Sequence, residues 1–457
     1  MADLYGEFVA RVLFPAWATG VQRRGTLKIL RELERNQWRS LAELQAFQLG
    51  ELRRLLAHAH ANVPYYRRVM DEAGMSPDSV RHVGDIRKLP ILTRPLERAV
   101  GDERRSTAPP LPTLCKRTGG TTGEPLRVRY DIGSDYWREA IKLRGYGWAG
   151  HRTGDKTLHF WGVSVRPDDR LMPRIKRELG RAAKRQHYFN CSPRGPEELS
   201  ALVRFIDVER PGAIIAYAQA CADLARYVNR TGARTWGDMT VICGAERLFP
   251  ADRAEMEQAF GPNVFETYGC REVMLIGTEC KAHDGLHMSM ENLLIELVVR
   301  DGDRERPAEP GERGEVVITD LHNYGMPFIR YATGDVAVAM EPTACACGRA
   351  HPRLAAVEGR VTETLRDSHG NAIDGMIFNL IVALLDDVAQ FQAVQHADSS
   401  ITLKLLPKKT ISEDSLSQLR HEIGRFIPDT DVDIQMVDDI PLTAAGKRQI
   451  VAVEPRL

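Results

Sequence analysis

The sequence has no run of apolar residues approaching the roughly 20 needed to cross a bilayer. Its first twenty residues, MADLYGEFVARVLFPAWATG, carry acids early and hold no uninterrupted apolar core of signal-peptide type. The cytoplasm is therefore the expected compartment, with no membrane partner. Excess charge of either sign is missing too. Lysine plus arginine equals aspartate plus glutamate at 62 each, so no global field favours DNA, RNA or an acidic lipid surface. The stretch RIKRELGRAAKRQ at 174–186 is a local basic exception, read as a solvated helix face or a guide for an anionic ligand. Eight cysteines, at 115, 191, 221, 243, 270, 280, 345 and 347, are scattered without the spacing of a disulfide framework. No internal repeat or low-complexity segment is present.

What remains is an ordinary globular composition, 43% hydrophobic and 27% charged over 457 residues. That length calls for two or more domains. Residues 1–100 read as helical: Leu41, Leu44, Leu52, Leu55 and Leu56 recur near a 3.6-residue period, and Pro64 breaks the run. From 101 to 358 short apolar strands such as GAIIAYA, MTVICGAE, NLLIELVV and GEVVITDL alternate with helical segments. This predicts an α/β domain with a largely parallel sheet. Residues 359–457 read as a smaller α+β domain, with VAQFQAVQ and SITLKLLP as strands and SEDSLSQLRHEIGRFI as a helix.

Within that frame the segment KRTGGTTGEP (116–125) packs three glycines and three threonines into ten residues. Glycines let backbone amides turn toward an anion, and threonine hydroxyls add donors, which are the requirements for cradling a polyphosphate. No Walker lysine follows; Glu124 stands there. Taken alone, a flexible surface turn fits the segment equally well. Further along, YGCREV places Glu272 after the strand-like NVFET, where a carboxylate can hold Mg2+ against a phosphate. Asp335, in IRYATGDVA, has lone pairs enough for two ribose hydroxyls. Arg360 sits at the domain boundary and Lys447 on a small-residue loop near the carboxyl end. Singly, each of these also reads as a capped turn, a surface ion pair or a loop lysine.

Their order resembles the adenylate-forming superfamily. ANVPYYRRV, LPILTR, GAE, DGLHMSMEN, MPFIRYATGD and CACGRAHPRL are similar to the phenylacetate–CoA ligase family across nearly the whole chain. The resemblance implies a large AMP-binding domain, a small mobile carboxy-terminal domain, and an ATP- and Mg2+-dependent ligase acting on a carboxylic acid. It also implies roles. Thr118, Gly119, Gly120, Thr121, Thr122 and Gly123 would hold the β- and γ-phosphates. Tyr268 and Gly269 would border the adenine and acyl pocket, and Glu272 would support Mg2+. Asp335 and Arg360 would fix the ribose, and Lys447 would bridge the carboxylate and the α-phosphate. The acyl group would pass to CoA, a carrier-protein thiol or an amine, and the family often forms homodimers. Two alternatives stand beside this: adenylyl transfer to a hydroxyl, and a nucleotide-binding protein without catalysis.

Similar metal sites in relatives favour Cys280, His287, Cys345 and Cys347 as ligands of a structural zinc, with His283 and His351 as rival imidazoles and buried free cysteines as the alternative. The chain also departs from the family. Glu124 replaces a basic residue, Thr362 and Glu363 stand where an Asp-Asp hinge is typical, and DSHGNAIDGMIFN lacks the glycine-led loop of the CoA-transferring members. The carboxy-terminal domain therefore looks closer to the capsule-biosynthesis and coenzyme-adenylylating branch. His159, Trp161, Tyr188 and Tyr217 would line an acyl pocket suited to an aryl or other flat acid, or serve as core aromatics.

Overall fold

The computed structural model describes residues 4–16, 25–117, 127–161, 178–191, 196–301, 304–360, 364–366, 372–374, 377–382, 385, 387–427, 430–441 and 449–454. By contacts the chain forms two units, one of Met1–Thr333 with Ala337–Val357, the other of Gly334–Val336 with Glu358–Leu457.

In the first unit the helices start where local chemistry dictates. Ser40 and Glu43 form a reciprocal capping box that opens the helix Leu41–Asn62. That helix ends at an extended Val63, as the following Pro64 requires, and Pro64 opens the helix Pro64–Glu72. Leu52, Leu55 and Leu56 are fully buried in one cluster with Ile276, Leu293, Val316 and Ile318 of the sheet and with Phe328.

Among the described residues that sheet has twelve strands, and it is mixed rather than largely parallel. Val264–Cys270, Thr240–Gly244, Ala213–Tyr217, Thr157–Trp161 and Gln186–Asn190 pair in parallel as neighbours in that order. From Met274–Glu279 onward the ladders are antiparallel where Met274–Glu279 meets Val264–Cys270 and Leu286–Met288, and where Leu293–Asp301 meets Arg304–Pro307 and Arg313–Asp320. Connection length gives the reason. The parallel strands are separated by the helices Pro196–Glu209, Ala218–Thr231 and Pro250–Phe260, each long enough for a crossover. Three residues join Cys270 to Met274, and two join Asp301 to Arg304, which permits only hairpins. The charged run RERP contributes the exposed edge strand Arg304–Pro307.

Buried arginine–carboxylate pairs brace this sheet through the interior. Arg138 bonds Asp320 at 3.0 Å with both side chains at most 2% exposed, and Arg330 bonds Glu296 at 3.2 Å. Arg330 adopts a left-handed backbone, φ 50°, and donates also to the carbonyls of Arg87 and Leu89. Breaking such a pair leaves a buried charge uncompensated, at a cost of about 3–5 kcal/mol.

The second unit has its own core of Phe378, Leu403, Leu405, Leu419 and Ile423. Its sheet runs in the order Val432–Met436, Ile401–Pro407, Val388–Gln395, Val451–Val453. Ser412 caps the helix Glu413–Phe426 that covers it.

One buried acid gives a pH signature. Burial pushes the carboxyl of Glu266, on the strand Val264–Cys270, up to about 7. The folded state then keeps a proton that the unfolded chain has lost, so stability falls as pH rises from about 5 to about 7, by about 2 kcal/mol. Glu266→Gln should flatten that fall, measured by chemical denaturation across this range.

Candidate active site

The carboxyl ends of the five parallel strands converge on one edge, the position where open α/β sheets bind ligands. Trp161 and Tyr217 meet there edge to face, with ring centroids 4.4 Å apart. Burial pushes the Tyr217 hydroxyl up to about 12, so it remains a neutral donor. Tyr217 pairs in register with Gly244. A side chain at Gly244 would come within 2.8 Å of Thr267 Oγ1 and 3.6 Å of the Trp161 ring. The next residue, Ala245, has φ 66°, a strained turn for a non-glycine. That turn lets Glu246 accept a 3.0 Å hydrogen bond from the backbone N–H of Gln219, at the start of the helix Ala218–Thr231. The Gly-Ala-Glu run is thus a strand-to-helix tie beside the sheet edge.

One strand pair further out, His159 stacks on Tyr188 with centroids 4.3 Å apart, and the Arg181 guanidinium lies 4.0 Å over the Tyr188 ring. Burial holds the His159 imidazole down to about 3 and therefore neutral. The Lys142–Glu139 pair, at 2.6 Å, lies on the helix Ile132–Trp148.

Tyr268 and Gly269 lie on Val264–Cys270, and Glu272 lies at the tip of the hairpin that leads into Met274–Glu279. Gly269 is required by close approach, since a Cβ there would stand 2.0 Å from the carbonyl oxygen of Met274. Met274 itself has φ 70°. This tight return turns the tip inward, leaving Val273 fully buried and Glu272 4% exposed. The Tyr331 hydroxyl donates to Glu272 Oε1 at 3.3 Å, and Arg94 stands 3.8 Å from the same oxygen. Burial, followed by the Glu272 charge, raises the Tyr331 hydroxyl well above its ordinary range, which keeps it a donor. Arg94 and Tyr331 had no assigned role in the sequence; only the family-like LPILTR and MPFIRYATGD runs marked their surroundings.

The other expected site residues are placed less closely. Asp335 is half-buried on Tyr331–Ala339. Arg360 ends Arg353–Arg360, and its side chain is not among those described. Thr118, Gly119, Gly120, Thr121, Thr122, Gly123 and Lys447 lie outside the described residues. The paired strands Thr113–Arg117 and Arg127–Asp131 flank the glycine/threonine run.

A second constellation lies at the other end of Met274–Glu279. The ligand atoms of Cys280, His287, Cys345 and Cys347 all lie within 4.8 Å of one another. Cys280 and Cys345 sulfurs are 3.7 Å apart, and Cys347 Sγ is 3.4 Å from His287 Nε2. His287 Nδ1 faces the His351 carbonyl at 3.3 Å, which turns Nε2 toward the thiols. The His351 ring instead meets Glu291, at 3.1 and 3.2 Å. His283 stacks on Phe265 and pairs with Glu279 at 3.2 Å. Gly348, with φ 82°, closes the turn that returns its N–H to the Cys345 carbonyl. Burial pushes the Cys280 thiol up to about 12 and holds His287 down to about 4.

Comparison with known proteins agrees with this architecture at two levels. The fold is that of the adenylate-forming CoA ligases: the crystal structure of 2-hydroxyisobutyryl-CoA ligase in the postadenylation state superposes with a TM-score of 0.73 at 19% identity, covering 92% of each chain. More narrowly, the sequence is similar over most of its length to phenylacetate–coenzyme A ligases. The enzyme of Thermus thermophilus is 26% identical, over 83% of this chain and 84% of its own. That of Escherichia coli is 29% identical, over 88% and 93%. Residues 365–454 match the model of the CapK C-terminal domain, in line with the capsule-branch character expected from the sequence. No helix of the described residues is long and apolar enough to cross a membrane.

The hairpin makes a direct test. Gly269→Ala should destabilise the first unit by about 1–3 kcal/mol through overpacking against Met274. Thermal unfolding of the variant beside the parent chain reads this.

Proposed function

We propose that the chain is an ATP-dependent acid–thiol ligase that activates a carboxylic acid as its acyl-adenylate and then passes the acyl group to CoA. The observation that carries this is likeness to phenylacetate–CoA ligases across 83–88% of the chain. The buried Glu272 carboxylate, set at the hairpin beyond the parallel strands, supports it. In the first half-reaction a carboxylate oxygen attacks the α-phosphorus of ATP. The new O–P bond forms as the α–β anhydride breaks and pyrophosphate leaves. In the second, a thiolate sulfur attacks the acyl carbon and AMP departs with the bridging oxygen.

Both steps bring anions together, so rate comes from positioning and from cations near the developing charge. Thr118–Gly123 hold the β- and γ-phosphates through backbone N–H groups and hydroxyls. Tyr268 and Gly269 border the adenine and acyl pocket, while Asp335 and Arg360 fix the ribose. Glu272 offers an oxygen to Mg2+, which when bound neutralises phosphate charge. Lys447 bridges the acid and the α-phosphate, then withdraws with a mobile carboxy-terminal domain of residues 359–457 to admit the thiol.

The cysteine cluster is assigned to a structural zinc. Zn–S bonds of about 2.3 Å and Zn–N bonds of about 2.0 Å set tetrahedral edges of about 3.8 Å between sulfurs and about 3.5 Å between sulfur and nitrogen. The observed 3.7 and 3.4 Å fit both. Four protein ligands leave no position for water, so the ion would brace the fold rather than react.

Three outcomes are expected. Hydroxylamine trapping with ATP and Mg2+, across aryl, alkyl and amino acids, should give a hydroxamate and pyrophosphate with one class of acid; silence across the panel despite tight ATP binding would remove acyl activation. Lys447→Ala should abolish hydroxamate formation and leave ATP binding intact, so undiminished adenylation would count against its role. Elemental analysis should find roughly one zinc per chain, lost in Cys347→Ser together with a lowered melting temperature.

A further inference from the structure

Resting on the reading of Glu272 as the carboxylate that supports Mg2+, we propose that Tyr331 is a positioning residue for the metal–nucleotide complex: its hydroxyl fixes Glu272 Oε1 so that Oε2 is presented to the cation. Glu272 is only 4% exposed, and both of its polar contacts among the described residues fall on Oε1. These are the 3.3 Å bond from Tyr331 and the 3.8 Å approach of Arg94. Oε2 carries no contact among those residues. A carboxylate held by one oxygen and open at the other suits a cation taken through a single oxygen.

The donor is itself immobilised. Tyr331 is fully buried and its ring lies 4.8 Å from that of Phe328. Its backbone is bridged in parallel to Leu92, whose N–H donates to the Arg330 carbonyl at 2.8 Å and whose carbonyl accepts from Ala332 at 3.1 Å. Two residues past Leu92, the Arg94 guanidinium reaches back to the Thr333 carbonyl at 3.1 Å. The segment Leu92–Arg94, the start of Tyr331–Ala339 and the hairpin tip thus lock together around one oxygen. Mg2+ demands near-ideal octahedral geometry. A carboxylate free to rotate would have to be ordered on each binding event, whereas one already fixed need not be. Packing alone would be served by phenylalanine at 331. The hydroxyl is what the carboxylate uses.

The test is equilibrium ATP binding by the full-length chain, without acid, titrated with Mg2+ and repeated in EDTA, for the parent, Tyr331→Phe, Glu272→Gln and the double variant. Tyr331→Phe should raise the half-saturating Mg2+ concentration roughly tenfold and leave binding in EDTA unchanged. Because Tyr331 acts through Glu272, the substitution should add nothing in the Glu272→Gln background. A Tyr331→Phe protein with the parent's Mg2+ requirement, while Glu272→Gln shifts it, would overturn the inference alone. So would an equal shift in both backgrounds, since that marks a general packing effect. A Glu272→Gln protein with the parent's Mg2+ requirement would remove the reading of Glu272 and the inference with it.

Discussion

The buried charge of Glu291 is the constraint on which the arrangement of the large unit turns. Its side chain is 1% exposed, an environment that by itself penalises ionisation. Arg144 pairs with it directly and the His351 ring bonds both of its oxygens, so its carboxyl lies well below the usual carboxylate range despite the burial. Each partner belongs to a different part of the chain. Arg144 comes from the helix Ile132–Trp148, and its guanidinium also lies 4.6 Å over the Trp148 ring. His351 follows the cysteine loop. The Glu291 backbone carbonyl takes a 2.8 Å bond at His322 Nε2, and the His322 ring stacks on Trp137 of the same helix. One acid that must be paired thereby fixes where the helix, the cysteine loop and the antiparallel half of the sheet meet.

The same helix reaches the site through close packing. A side chain at Gly145 would stand 2.6 Å from Leu275 and 2.8 Å from Thr278, so the helix backbone lies directly on Met274–Glu279. That strand has Glu272 just before it and Cys280 just after it. At its far end Thr278 pairs with His287 and Glu279 with Leu286. The cysteine–histidine cluster therefore lies at one end of a strand whose other end leads from the inward-turned carboxylate.

Much of the fold was legible because local rules decide it. Helices opened at Ser40, Pro64 and Ser412 for reasons visible in the residues themselves. Strands with intervening helices became parallel. Strand patterning alone predicts a largely parallel sheet because it does not carry direction; the three- and two-residue connections before Met274 and Arg304 do carry it. The candidate site was legible only as an order of motifs. Arg94, 178 residues before Glu272 in the chain, could not be linked to it by spacing. The same holds for Arg144, Glu291 and His351, whose charged or polar types predict exposure and whose burial follows from being paired.

By itself, then, the sequence determined the helical beginning, the α/β core, the smaller α+β unit and the succession of chemical groups along the chain. Periodicity, capping and connection length act within a few residues, and each was already written there. Which imidazole faces the thiols was decided by tertiary structure alone. His283, His287 and His351 are equivalent in residue type, but strand pairing carries His287 to the sulfurs, Glu291 draws away the ring of His351, and Phe265 with Glu279 holds His283. The orientation of Glu272 was decided in the same way, since a carboxylate buried between elements distant in sequence takes the direction that its donors impose.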